Sequence, residues 1–401
     1  MPMRFGFIST YPPTQCGLAT FTASLSGALT AGGAAESRIA RLLESAPAAH
    51  RGREAVGDGV GGVGGVDIVA GDPRTAARSI DRLNRCDVVI VQHEFGIYGG
   101  PDGDEVLALL AGLTVPTIVV LHTVLTEPTA HQRIVLDGVL AAAGAVVTMS
   151  ETAHRRLLTG YRVDPAKVGV IAHGAPESTF PVPVPAATPT IGIAGTDTDT
   201  ETDTPTVLTW GLLGPGKGIE WGIEAMAHLK DLRPSIHYVV AGQTHPKVLL
   251  HQGEQYREGL QRRIERRSLT GSVHLEGRYL DTPTLASLVA AADVVLLPYD
   301  STEQVTSGVL IEAVAAGKPV VATRFPHAVE LLSGGAGIVV PHRDPVSIAE
   351  GLRRVITSPE LAASMSRAAA AAAPDLRWSA VAKQYRFLAE RLIAQAGVVA
   401  A

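Results

Sequence analysis

The stretch Cys86-Asp-Val-Val-Ile-Val-Gln-His93 reads as a short buried strand, and it returns in the second half of the chain as Ala292-Asp-Val-Val-Leu-Leu-Pro-Tyr299. Each copy opens with a small residue and an aspartate and continues as an apolar run. Such runs suit parallel strands covered by helices on both faces. Further short β-branched runs lie on either side of each copy, separated by longer helical patterns. Strands are expected near Phe5 to Ser9, Asp67 to Val69, Val88 to Gln92, Thr117 to Leu121, Ala145 to Met149 and Val168 to Ala172. The second half is expected to repeat the scheme at Thr206 to Trp210, Ile236 to Ala241, Val273 to Glu276, Val294 to Pro298, Pro319 to Thr323 and Gly337 to Val340. The class is α/β, with two Rossmann-like parallel-sheet domains.

The 401 residues exceed the usual size of one domain, which favours two domains facing a cleft. The Pro-, Thr- and Asp-rich stretch Pro181 to Pro205 has little to bury and marks a linker. The division expected is 1–180, linker 181–205, 206–374, and a last amphipathic helix in 375–401, over Trp378 to Ile393, packing back on the first domain. With 34 basic and 39 acidic residues the formal charge is -5, so no nucleic-acid partner is expected. Cys16 and Cys86 are too few for a disulfide framework or a metal site. The start, Met1-Pro-Met-Arg-Phe-Gly-Phe-Ile, reads as a first strand rather than a signal peptide, and no uncharged apolar run approaches about 18 residues. A cytoplasmic location is expected, with peripheral membrane contact left open.

The strongest local signal is Trp210-Gly-Leu-Leu-Gly-Pro-Gly-Lys217-Gly218-Ile-Glu220, directly after an expected strand and before an expected helix. The glycines Gly211, Gly216 and Gly218 let the backbone approach an anion, while a helix N-terminus and the Lys217 ammonium supply positive potential. Gly211 to Lys217 also fits the spacing of a P-loop. That loop needs a hydroxyl for Mg²⁺ at the next position, where this chain has Gly218. A plain tight turn is the third reading. The second signal is Glu303-Gln304-Val-Thr-Ser307-Gly308-Val-Leu-Ile-Glu312, running on to Gly317-Lys-Pro319. Ser307 and Gly308 are expected at a helix N-terminus on the carboxyl edge of the sheet, with Glu312 about one turn further on and able to accept hydrogen bonds from ribose hydroxyls.

In the first half, Gly17 follows a Pro-rich loop and reads either as a phosphate contact at a helix start or as a simple glycine N-cap. His93, Glu94 and His122 fall at strand ends on the ligand-binding edge. Ser150 reads equally as an acceptor-side group and as a helix cap, and His173 ends the strand after it. Three patterns are set aside. Gly59 to Gly64 matches a dinucleotide fingerprint without a strand leading into it. Asp197-Thr-Asp199 lies in the linker, and His342, Arg343 and Asp344 read as caps of a helix beginning near Pro345. His245, His251 and His274 lack metal-ligand spacing.

Over nearly its whole length the chain resembles the retaining GT-B glycosyltransferases of family GT4. The G-x-x-x-x-x-K-G loop matches at Gly211, Lys217 and Gly218. The region after the second Glu of E-x7-E matches at Glu312, Ala313, Gly317, Pro319, Val320 and Val321. The resemblance implies transfer of a hexose, with retention, from a nucleotide diphosphate sugar to a hydroxyl of a glycan or other acceptor. No metal or other cofactor is implied. GDP-mannose is the favoured donor and UDP-glucose the second, because the likeness is to mannosyltransferases. By resemblance Lys217 binds the donor diphosphate, Glu312 the ribose, Gly17 the β-phosphate, and His122 lies near the transferred sugar. Glu303, Gln304, Ser307 and Gly308 would wrap the sugar and phosphate, and His93, Glu94, Ser150 and His173 are acceptor-side candidates. Two positions depart from the family pattern: Leu212 stands where an Arg is usual, and Gln304 where the first Glu falls. These departures keep a non-catalytic nucleotide-sugar-binding protein as an alternative, beside an epimerase or a phosphorylase of the same fold.

Overall fold

The computed structural model describes residues 2–33, 35–45, 65–177 and 204–400. They form two compact units, one built from Met1–Gly174 together with Trp378–Ala401 and the other from Ala175–Arg377.

The first unit is built on a seven-stranded parallel sheet. Its strands are β1 Met3–Ser9, β2 Ala35–Leu43, β3 Val66–Val69, β4 Val88–His93, β5 Thr117–Leu121, β6 Ala145–Thr148 and β7 Val168–Val170, in the order β3-β2-β1-β4-β5-β6-β7. The second unit has six strands, β8 Thr206–Trp210, β9 His237–Ala241, β10 Val273–Glu276, β11 Val294–Leu297, β12 Val320–Thr323 and β13 Gly337–Val340. Their order is β10-β9-β8-β11-β12-β13. All the pairings are parallel, and the six strands of the second sheet follow the same order as the first six of the first. In each sheet the winding reverses beside the first strand, between β1 and β4 and between β8 and β11. Open α/β sheets bind ligands at the carboxyl ends of strands at that reversal.

The two matching sequence stretches perform the same structural task. The Asp87 backbone N–H donates to the Arg4 carbonyl (2.9 Å), and its carboxylate accepts from the Arg4 N–H (2.7 Å). Asp293 does the same with Thr206, at 2.9 Å and 2.7 Å. Each aspartate thus ties the entry of a central strand to the strand beside it, and the Arg4 guanidinium holds the Asp87 carboxyl below its usual range.

The first sheet buries Phe5, Phe7, Val88, Ile90, Ile118 and Val147 against the helix Gly17–Thr30 and the helix Trp378–Ala400. The last helix contributes Trp378, Val381, Ala382, Tyr385, Ala389 and Leu392, a three-and-four spacing that forms one apolar stripe. Each of its large side chains removes area worth about 1.5–3 kcal/mol from water. The second core gathers Ile219, Ile223, Tyr238, Leu296, Ile348 and Leu352 around the second sheet. Among the described residues no helix is long and apolar enough to cross a membrane.

Two local expectations change. β2 was not expected, because Glu36, Arg38 and Arg41 break up its apolar pattern. It pairs with β1 along its length and exposes one of those residues, Glu36. The last helix runs past Ile393 to Ala400. The fingerprint at Gly59 to Gly64, the Asp197 to Asp199 pattern and nearly all of the linker 181–205 lie outside the described residues.

Candidate functional site

At the reversal in the second sheet, β8 continues for one residue as Gly211, whose N–H donates to Ala241 at 3.0 Å. Gly211 has φ 117°, a region that disfavours side chains. The loop is then fastened to the segment after β9, with Leu213 donating to Gln243 (2.9 Å) and His245 donating to Leu213 (2.7 Å). It next turns along the exit of β11, where three consecutive residues meet three others in the opposite direction. The Gly216 carbonyl accepts from the Asp300 N–H at 2.9 Å. The Lys217 ammonium lies over the ring of Tyr299, 4.5 Å from its centroid. Gly218, at φ 63°, passes so close to the Pro298 carbonyl that a Cβ would lie 1.8 Å from its oxygen. Gly218 is also the N-cap of the helix Ile219–Ala227, whose first turn has no side-chain cap. Its opening N–H groups follow directly on the half-buried Lys217, a combination of positive potential that suits a phosphate.

The segment after β11 is braced from several directions. Asp300 accepts from the Trp221 indole at 2.9 Å and pairs with Arg343 at 3.3 Å. The Tyr299 carbonyl accepts from Thr323 (2.6 Å) and bonds His342 Nδ1 (2.8 Å), while its ring stacks on Phe325 at 5.1 Å. The Gln304 amide donates to the Thr306 carbonyl at 3.1 Å, and the Gln304 carbonyl accepts from the His327 N–H at 3.3 Å. Ser307 starts the helix Gly308–Ala315, its hydroxyl capping Leu310 N–H at 3.2 Å and its own N–H donating to Nδ1 of the buried His327 at 2.9 Å. Nδ1 of His327 is therefore an acceptor, which places the proton of the neutral ring on Nε2. Glu312 lies further along this helix, and its Oε2 accepts from the Trp210 indole N–H at 3.1 Å. Burial pushes the Glu312 carboxyl above the ordinary range, and the indole bond pulls it back. Glu303 is half-buried in the loop just before Gln304.

The carboxyl edge of the first sheet carries a cluster of neutral imidazoles. His122 and His173 each meet the edge of Phe21 at 5.0 Å, as does Trp378. Burial lowers His122 to about 3, with His173 and His93 adding to the shift. Burial likewise takes His93 and His173 to about 4. His122 Nε2 lies 2.7 Å from Gln92 Oε1, and His173 Nδ1 lies 2.7 Å from the Gly174 carbonyl. Since both oxygens accept, the remaining nitrogen of each neutral ring carries a lone pair. Glu94 accepts from the Thr123 hydroxyl and from the Phe95 N–H at 3.1 Å.

Several assignments are refined by these contacts. Gly17 is the first residue of its helix, and the N-cap is Cys16, whose sulfur accepts from Ala19 N–H at 3.4 Å. The Ser150 hydroxyl caps the helix Glu151–Gly160 through Ala153 N–H at 3.1 Å. Of His342, Arg343 and Asp344, Asp344 alone caps the helix Pro345–Ile356, because the other two turn toward Tyr299 and Asp300. Trp210, Tyr299, Asp300, His327 and Gln92 were not singled out from the sequence. Trp210, Tyr299 and Gln92 lie within quoted stretches and Asp300 directly follows one, so a search of those stretches and their flanks for aromatic, amide and carboxylate side chains would have found them; His327, six residues beyond Val321, had no such signal. No group of three His, Cys, Asp or Glu side chains suited to a metal ion occurs among the described residues.

Residues 196–372 match the family model described as glycosyl transferases group 1. Over 167 residues the chain is 28% identical to the alpha-D-kanosaminyltransferase of Streptomyces kanamyceticus, covering 41% of this chain and 40% of that protein. Over 151 residues it is 28% identical to the GDP-mannose-dependent alpha-(1-6)-phosphatidylinositol dimannoside mannosyltransferase of Mycobacterium tuberculosis, covering 37% and 35% of the two chains. The chain thus spans about two-fifths or less of the length of these curated relatives. Among solved structures, Anabaena Alr3699/HepE in complex with UDP matches 97% of this chain and 100% of its own, with TM-score 0.72 and 17% identity. Sucrose-phosphate synthase from Thermosynechococcus elongatus matches 98% and 100%, with TM-score 0.75 and 18% identity. The structural likenesses establish a shared fold.

Proposed function

We propose, on the premise that residues 196–372 form a group 1 glycosyl transferase domain, that this chain moves a hexosyl unit from a nucleoside diphosphate sugar to a hydroxyl acceptor, with retention and without a metal. The observation that carries this reading is the pairing of Gly216, Lys217 and Gly218 with Asp300, Tyr299 and Pro298 at the reversal of the second sheet. It brings a glycine-rich backbone and the Lys217 ammonium together at a helix start, which supports a phosphate at this place, and Glu312 on the neighbouring helix is assigned to the ribose hydroxyls.

In the reaction the bond from the anomeric carbon to the diphosphate oxygen breaks, and a bond to the acceptor oxygen forms on the same face. The acceptor proton passes to the departing phosphate. The chain's task is to stabilise the leaving charge, through the Lys217 ammonium and the opening N–H groups of the helices Ile219–Ala227 and Gly308–Ala315. Gln304 and Glu303 are assigned to the sugar hydroxyls. His93, Glu94, His122, Ser150 and His173, on the first sheet, are assigned to sugar and acceptor hydroxyls as neutral or anionic hydrogen-bonding groups. GDP-mannose is the preferred donor because a matched relative is named for its dependence on it; UDP-glucose is second.

The test is a panel of nucleotide sugars, including GDP-mannose and UDP-glucose, read by thermal stabilisation and by slow donor hydrolysis in EDTA. Stabilisation with metal-independent release of an α-configured sugar is expected. Binding without hydrolysis would identify a nucleotide-sugar-binding protein, and donor conversion or phosphate-dependent cleavage without acceptor would identify an epimerase or phosphorylase. A panel in which no nucleotide sugar binds would refute the reading altogether.

A further inference from the structure

Lys217 is the charge on which the phosphate site depends, and its ammonium lies over an aromatic face. The ring beneath it belongs to Tyr299, which is 1% exposed and cannot shift easily. Phe325 stacks against one side of the ring, and the backbone at Tyr299 is held by Thr323 and His342. The next residue fastens the loop itself through Asp300 N–H and Gly216 O. Ring and lysine are therefore fixed to one another at adjacent points of a single braced contact.

The choice of partner has a chemical consequence. A carboxylate at this place would neutralise the ammonium and would also repel a diphosphate. A π face attracts the cation through its quadrupole and leaves the full positive charge available. It also narrows the rotamers of a long flexible side chain, whose ordering would otherwise weaken anion binding. We propose that Tyr299 is a positioning residue: its ring holds the Lys217 ammonium in the orientation that receives a diphosphate, without neutralising it. The hydroxyl takes no part in this. Its oxygen is buried and has no hydrogen-bond partner among the described residues, so the aromatic face is the functional element.

This inference rests on the phosphate-site reading above, and its test separates the two. The ligand-free protein, labelled with ¹³C at the lysine ε-carbon, is examined by NMR. The Lys217 ε-methylene signal, assigned by its loss in Lys217→Met, is expected upfield of the other lysines through the ring current of Tyr299. It should stay there in Tyr299→Phe and return to the ordinary position in Tyr299→Met, which keeps much of the volume without a π system. An ordinary Lys217 shift in the wild type overturns the proposal, and that arm needs neither a ligand nor any Tyr299 variant.

UDP binding is then measured by calorimetry on the same proteins. Tyr299→Phe is expected within about twofold of wild type, and Tyr299→Met on the order of tenfold weaker. In a Lys217→Met background the Tyr299→Met change is expected to have no further effect. Equal weakening with and without Lys217 would assign the ring a merely structural role and overturn the proposal. If the wild type binds neither UDP nor GDP, the phosphate-site reading fails, while the NMR arm still decides the contact itself.

Discussion

The indole Nε1–H of Trp210 donates to Oε2 of Glu312 at 3.1 Å, joining the last residue of a central strand to a helix 102 positions further along the chain. That bond favours the ionised carboxylate, against burial, which favours the neutral acid. If the ionised form accepts from ribose hydroxyls, nucleoside diphosphate affinity falls as the pH drops through the Glu312 titration. Trp210→Phe removes the stabilising donor and raises that titration further. The acid limb of UDP or GDP binding, followed calorimetrically from pH 8 to 5, is expected at higher pH in the variant. An unmoved limb would show that Glu312 does not govern binding.

In the proposed reaction Lys217 faces the position where negative charge grows as the donor bond breaks. Removing one preorganised donor of this kind typically costs a factor of about 10² to 10³ in rate. Lys217→Ala is expected to lose at least that much in kcat/KM for donor turnover. Wild-type kinetics in this variant would remove the basis of the functional assignment.

Two neighbouring glycines should respond very differently to one methyl group. At Gly216, φ is 89° and an added Cβ meets nothing within 4 Å, so Gly216→Ala carries only backbone strain of about 1–2 kcal/mol. At Gly218 the same strain is joined by collision with the Pro298 carbonyl, 1.8 Å from the new atom. Roughly 3 kcal/mol or more is expected there, since the braced segment after β11 has little room to retreat. Thermal unfolding of the two variants tests this, and similar melting temperatures would contradict it.

The neutral histidines of the first unit make stability depend on pH in one direction. His93, His122 and His173 hold their protons only below about 4, 3 and 4 in the folded state, whereas in the unfolded chain they titrate near 6.5. Between these values the unfolded chain binds more protons, so stability is fully present above about pH 6.5 and declines as the pH falls toward 4. The slope is at most about 1.4 kcal/mol per pH unit for each histidine. Melting curves between pH 7.5 and 4.5 should show this decline, and His93→Gln should flatten it. An equally steep decline in that variant would assign the effect to other groups.

Most strands and the glycine–lysine loop could be read directly because each has a short-range signal: an apolar run for a strand, and glycines before a lysine for the loop. β2 could not, since its polar residues Glu36, Arg38 and Arg41 mask its pairing with β1 and β3. Glu312 could be placed on its helix from spacing, but its partner Trp210 is distant in sequence. The same holds for Lys217 and Tyr299, whose contact arises only when the exits of β8 and β11 lie side by side. Local periodicity identifies elements and their motifs. The partners that set a side chain's charge and orientation come from register between distant strands, which no local pattern encodes.

The helix Trp378–Ala400 has a consequence for the order in which the molecule is made. The second unit is one uninterrupted stretch, Ala175–Arg377, and can close its core without any segment from outside that stretch. The first unit is emitted earlier but has to wait, because Trp378, Val381 and Tyr385 complete the core around Phe21 and Ile90. Until they emerge, its seven-stranded sheet has an uncovered apolar face, so the half synthesised first is the half that finishes folding last.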